Sequence, residues 1–383
     1  MGPIVAVHLL GYARIMKQRN KPMADTFPIR RVDHVRHYVN NARQSAFFYQ
    51  HTFGFSITGY RGLETNSRDL VDYVLEQNNI RLVFTAPLRP GLPMSDMIAR
   101  HGDFVRDIAF EVDDVDWAFN EAVKRGASAE LEPYWMEDDH GKVRHAAIKT
   151  YGNVLHSLIN RDKYTGHFLP GFIEKNEPGD PIGLLEVDHC VGNVELGKMN
   201  EWVKWYEDVL GFKNLISFDD QDISTEYTSL MSKVMASGNG RVKFPINEPA
   251  PGKKKSQIDE YLEFFGGPGV QHVAMLTDDI VHTVSRLRAR GVPFLSVPRT
   301  YYDELEARVG QIDEDIEVLA DLGILVDRDD EGYLLQIFTK PITDRPTLFY
   351  EIIHRKGAQS FGKGNFKALF ESIEREQALR GTL

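Results

Sequence analysis

Apolar residues along this chain alternate between two rhythms, and the switches between them mark a repeating unit. Short runs such as Val187-Asp188-His189-Cys190, Gly269-Val270-Gln271-His272-Val273 and Leu348-Phe349-Tyr350-Glu351-Ile352 are rich in β-branched and aromatic residues and read as strands. Between such runs the apolar positions fall at helical spacing. Trp202, Trp205, Tyr206, Val209 and Leu210 make one stripe, and Gly211 stands where a left-handed C-terminal cap is expected. That aromatic stripe is a packing surface.

The unit recurs. Arg31-Val32-Asp33-His34-Val35, Phe48-Tyr49 and Gly54-Phe55 are matched by Glu186-Val187-Asp188-His189-Cys190, Trp205-Tyr206 and Gly211-Phe212. A second pair starts at Phe104-Val105-Arg106-Asp107 and at Gly269-Val270-Gln271-His272. Each leads into a helix that opens on acidic residues (Asp113 and Asp114; Asp278 and Asp279), which cap free N–H groups and suit the positive dipole end. The chain therefore reads as four copies of a strand, a helix and further strands, paired into two halves. The break is expected near Asn176-Glu177-Pro178-Gly179-Asp180-Pro181, whose prolines and glycine suit a linker.

The halves differ where chemistry would sit. His189, His272 and Glu351 align with His34, Asp107 and Ser157, so the N-terminal half keeps one good ligand and a possible second but lacks the third. Imidazole and carboxylate suit divalent iron, and three such ligands leave about three positions of an octahedral ion for substrate and oxygen. Their wide spacing places them on separate strands that must meet in space. The N-terminal half, short of ligands, is expected to be structural.

Composition narrows the partners. The chain has 383 residues, 42% of them hydrophobic, enough to bury a large core in two domains. A formal charge of −11 argues against nucleic acid or an anionic membrane as partner, and no run approaches the roughly 18 apolar residues of a membrane span. The single cysteine, Cys190, excludes an intrachain disulfide and suits a reducing, cytoplasmic compartment. Residues 4–10 are apolar, but the charges follow them, the reverse of a secretory signal, so residues 1–27 are expected to be a disordered extension.

Longer segments carry a family resemblance. Pro245-Ile246-Asn247-Glu248-Pro249, Gly252-Lys253-Lys254-Lys255-Ser256-Gln257-Ile258, Leu334-Leu335-Gln336-Ile337-Phe338-Thr339-Lys340, Asp344-Arg345-Pro346-Thr347 and Phe361-Gly362-Lys363-Gly364-Asn365-Phe366 strongly resemble the 4-hydroxyphenylpyruvate dioxygenases, over about residues 28 to 383. The resemblance implies an α+β chain of the vicinal-oxygen-chelate fold. Its βαβββ modules would pair into two half-open barrels, residues 28–176 without a complete metal site and residues 182–383 catalytic. It implies non-haem Fe(II) held by His189, His272 and Glu351, with 4-hydroxyphenylpyruvate and O2 converted to homogentisate and CO2 in tyrosine breakdown. A homodimer or homotetramer is expected.

The same resemblance assigns a pocket. Ser232, Asn247, Gln257, Gln271 and Gln336 match positions that bind or orient substrate, with Gln271 and Gln336 in catalytic roles, and Phe338 and Phe366 flank its ring. Neutral amides suit orientation, since they donate and accept without adding charge beside the metal. Phe349, Phe361 and Asn365 complete the lining. From about residue 364 to 380, Phe366, Leu369, Phe370 and Ile373 recur at helical spacing, as in a lid that closes the entrance. Two other readings compete: 4-hydroxymandelate synthase, which uses the same substrate and metal, and a metal-free binding protein on the same fold. Phe338 with Pro245 and Asn247 resembles the dioxygenase set.

Overall fold

A computed structural model describes residues 27–219, 224–225 and 227–383. The extension expected over residues 1–27 lies outside the described residues except for Phe27, which is buried and packs on Trp117 rather than trailing free.

The strands fall into two sheets. The first contains β1 (Ile29–Tyr38), β2 (Ser56–Arg61), β3 (Leu70–Gln77), β4 (Ile80–Pro87), β5 (Phe104–Val112), β6 (Ala129–Asp138), β7 (Gly141–Lys149), β8 (Leu155–Asn160) and β9 (Ile173–Glu177). The second contains β10 (Leu184–Asn193), β11 (Lys213–Phe218), β12 (Ser229–Ala236), β13 (Lys243–Ala250), β14 (Gly269–Thr277), β15 (Leu325–Arg328), β16 (Tyr333–Phe338) and β17 (Phe349–Lys356). Their orders, β6-β7-β8-β5-β1-β4-β3-β2-β9 and β11-β12-β13-β10-β14-β17-β16-β15, follow one plan. In each βαβββ module the first strand pairs parallel with the last, as β1 does with β4 and β14 with β17. The first strands of the two modules of a half then pair antiparallel, β1 with β5 and β10 with β14. The fold is thus α+β, with four such modules curling in pairs into two half-barrels of the vicinal-oxygen-chelate type.

Local chemistry sets the helices. Asn41, Asp114 and Asp279 each accept a backbone N–H at a helix start, and Gly54 and Gly211 end their helices in the left-handed region, at φ 77° and 64°. The helix Met199–Leu210 buries Val203, Tyr206, Val209 and Leu210 and lies against the N-terminal half. There the Tyr206 hydroxyl lies 2.8 Å from His156 Nε2, and burial pushes His156 down to about 4, so its neutral ring can accept that proton. Asn176 and Glu177, expected as linker, lie in β9, whose register pairs Ile57 with Glu177. The C-terminal helix, Lys363–Arg380, buries Leu369 and Phe370.

Candidate metal centre

His189, His272 and Glu351 project from β10, β14 and β17, which are consecutive in the second sheet. Register brings them together: Ala274 pairs with His189 on one side and with Glu351 on the other. Registered residues on neighbouring strands share a face. His189, Ala274 and Glu351 therefore form one row, with His272 two residues away on that face. Ala274 is fully buried, and its single methyl leaves room between the ligands. The ligand atoms lie within 4.8 Å of one another.

A bulge supplies the next shell. Val187 pairs with Met275 and His189 with Ala274, so Asp188 is an extra residue that breaks the alternation of faces. Asp188 and His189 are consequently both 3% exposed, and the Asp188 carboxylate accepts the His189 Nδ1 proton at 2.8 Å. Arg355, from β17, grips both Asp188 oxygens at 2.8 Å. Burial raises the Asp188 carboxyl, but the Arg355 charge and nearby Lys243 outweigh it and hold it well below the usual carboxylate range. His272 donates its Nδ1 proton to Gln271 Oε1 at 3.0 Å. Both imidazoles thereby turn Nε2 toward Glu351, 3.1 and 3.3 Å from its Oε2.

Two lone pairs facing a carboxylate form a cation-seeking arrangement. Burial raises Glu351, yet His189 and His272 hold it at about 2; burial lowers His189, yet Glu351 and Asp188 raise it above the usual imidazole value. His272 is lowered by burial. Glu351 Oε1 is buried without a partner. Among the described residues, these three form the one cluster of His, Cys, Asp and Glu with metal-binding geometry, and the donor set fits a divalent metal ion.

The predicted pocket residues surround this centre unevenly. Ser232 and Asn247 face each other across β12 and β13, and Gln336 and Phe338 lie on β16, where Phe338 pairs with Glu351. Ser232 Oγ, Asn247 Oδ1, Gln257 Oε1 and Gln336 Oε1 are all buried without partners, the state expected of groups that meet a ligand. Gln257, beside the lysine run, is 5% exposed and lines a small cavity with Gln271 and Phe349. Phe349 stacks on His272 at 4.7 Å with Phe338 edge-on at 5.9 Å, and Phe361 meets His189 at 4.9 Å. Phe366 packs on Phe218, in the cluster of Phe361 rather than that of Phe338. Asn365 accepts from the Tyr301 hydroxyl at 2.8 Å, and its Nδ2 is unpaired.

Asp188, Arg355 and Ala274 were missed as site residues. The Asp-His pair is repeated at Asp33-His34, where the same bond forms at 2.7 Å, and that repetition was the available signal. Arg355 had none, because its partner is 167 residues away.

Comparison with known proteins identifies the family. Residues 31–160 and 186–337 match the Glyoxalase/Bleomycin resistance protein/Dioxygenase superfamily. The chain is 50% identical to a 4-hydroxyphenylpyruvate dioxygenase of Yarrowia lipolytica, over 92% of this chain and 93% of that one. It is 48% identical to that of Dictyostelium discoideum, over 92% and 99%. A solved mutant of 4-hydroxymandelate synthase from Streptomyces coelicolor superposes with a TM-score of 0.82 at 33% identity, over 92% of this chain and all of the other. With half its residues shared along nearly its whole length, the chain belongs to the 4-hydroxyphenylpyruvate dioxygenase family of the vicinal-oxygen-chelate superfamily.

Proposed function

We propose that the chain is a non-haem Fe(II) dioxygenase that converts 4-hydroxyphenylpyruvate and O2 to homogentisate and CO2 in tyrosine breakdown. The observation that carries the reading is the convergence of two imidazole Nε2 atoms on one buried carboxylate, surrounded by buried polar atoms without partners in the fold. Held by His189, His272 and Glu351, Fe(II) would chelate the 2-oxo acid and activate O2, while the substrate itself supplies the electrons through its decarboxylation and ring hydroxylation.

The protein's own groups bind, orient and exclude water. Asp188 and Gln271 keep the Nδ1 protons in place, so both Nε2 atoms remain ligands. Gln271 spends its oxygen on His272, which leaves its NH2 to donate toward the keto acid. Gln336, Ser232, Asn247 and Gln257 offer unpaired atoms to the polar ends of the substrate. Phe338, Phe349 and Phe361, all buried, wall off water with part-buried Phe366 packed on Phe218, and Asn365 anchors the start of the closing helix. Among the described residues no helix is long and apolar enough to cross a membrane. We read the chain as a cytoplasmic homodimer or homotetramer.

The test is oxygen uptake by anaerobically Fe(II)-loaded protein given 4-hydroxyphenylpyruvate, with the product identified by chromatography. Homogentisate supports the proposal, 4-hydroxymandelate moves the chain to the other oxidation of the same substrate, and no uptake despite bound iron refutes it. His189→Ala, His272→Ala and Glu351→Ala should each lose bound iron and turnover while keeping the far-ultraviolet circular dichroism. Full iron occupancy in any one would remove that residue from the ligand set.

A further inference from the structure

The N-terminal half-barrel encloses a cavity of about 420 Å³ at the place the internal repeat relates to the metal centre. Register supports the relation. His34 pairs with Ala109 as His189 pairs with Ala274, and Asp107 pairs with Leu155 as His272 pairs with Phe349, which puts Ser157 where Glu351 stands. A complete metal-ligand set is absent here, yet the cavity is lined by polar and charged side chains.

Its proton directions follow from the bonds. Ser157 donates to Asp107, so His145 Nε2, 3.0 Å from Ser157 Oγ, must donate to that oxygen, and His145 Nδ1 accepts from the Tyr134 hydroxyl at 2.9 Å. That chain is complete. His34 lies outside it: its Nδ1 proton goes to Asp33, and burial lowers its pKa, so Nε2 is a bare acceptor without a partner on a residue 2% exposed. On the same lining, Arg106 Nε is a buried donor without a partner.

Charge and shape narrow the occupant. Arg36 and Arg61 share the single carboxylate of Asp72, and Arg106 shares Glu130 with Lys149, so cations outnumber carboxylates here even with Asp107 counted. Aromatic rings back the cations: Arg61 lies 4.9 Å over Phe172 and Arg106 5.8 Å over Tyr38. Leu131, Met136 and Leu169 give apolar wall, and the volume lies within the range of small-molecule pockets. We propose that the N-terminal half-barrel is a second, non-catalytic binding site for a small hydroxylated aromatic carboxylate, whose hydroxyl donates to His34 Nε2 and whose carboxylate meets Arg106 with Arg36 and Arg61.

The probe is 4-hydroxyphenylacetate, titrated calorimetrically into the metal-loaded full chain. One binding event should vanish in Leu131→Trp, which fills the cavity from a part-exposed strand position. In His34→Leu it should weaken about tenfold, the scale of one lost hydrogen bond. Phenylacetate, lacking the hydroxyl, should bind this site equally in wild type and His34→Leu. Turnover of 4-hydroxyphenylpyruvate should stay within about twofold in both variants, so the result stands apart from whether the catalytic assignment is right. Identical isotherms in wild type and Leu131→Trp would overturn the site, and loss of hydroxyl selectivity from wild type itself would overturn its chemistry.

Discussion

Asp188 is the residue on which the geometry of His189 depends, and it reaches that imidazole because it is the extra residue of a bulge. Replacing Asp188 by Asn keeps an oxygen for the Nδ1 proton but leaves the buried Arg355 guanidinium without a counter-charge. Iron affinity should fall by about 10–100-fold, the usual cost of losing such a partner, as read by anaerobic titration. The space between the ligands makes a second prediction. Ala274→Val adds two methyls in the row between His189 and Glu351 and should reduce iron occupancy without loss of secondary structure; full occupancy would show that the row can widen. At this scale the sequence was legible where chemistry repeats. The ligands stood out because the second half carries His189, His272 and Glu351 where the first carries His34, Asp107 and Ser157. Arg355 did not, since nothing local to β17 signals a bond to β10 across the intervening strand.

The C-terminal helix shows what an element adds to the residues it carries. It is fastened near its start by backbone N–H bonds from Gly364 and Asn365 to Asp327, and near its end by Arg380 on Glu260 at 2.7 Å. Thr225 and Thr228 hold Glu374 in between. Truncation after Gly364 removes Phe366, Leu369 and Phe370 and opens the aromatic wall to water. Oxygen uptake should then exceed product formed, whereas a ratio near one in the truncated enzyme would show that the helix does not guard the reaction. The apolar spacing of this helix was readable in advance, because 3.6-residue periodicity is local. The pairing of β9 with β2 was not: Asn176 and Glu177 precede a Pro-Gly turn and look like linker, and the partners of Glu177, Ile57 on β2 and the Gln50 side chain, lie far away in sequence.

The two halves meet through buried hydroxyls and rings. Tyr49 donates to the Tyr350 hydroxyl at 2.9 Å, which lies 2.9 Å from His37 Nε2, and burial pushes His37 down to about 3, so the neutral ring accepts. Tyr350→Phe strands both neighbours in the core and should cost about 1–3 kcal/mol, measured as a lower denaturation midpoint at unchanged iron content. A midpoint equal to wild type would show that water replaces the hydroxyl. The overall plan was readable from the duplicated strings, but the way one half seats on the other was not, since it depends on pairs such as Tyr49 and Tyr350 that are 301 residues apart. Duplication also left the first barrel a usable blueprint. Asp33 is likewise the bulged residue beside His34, and Ala109 pairs with His34, so the backbone frame of the candidate metal centre is present here with one of its three ligand positions still histidine. Asp107→His with Ser157→Glu would restate the missing two in their inherited places, and a chain carrying both should take up a second equivalent of metal.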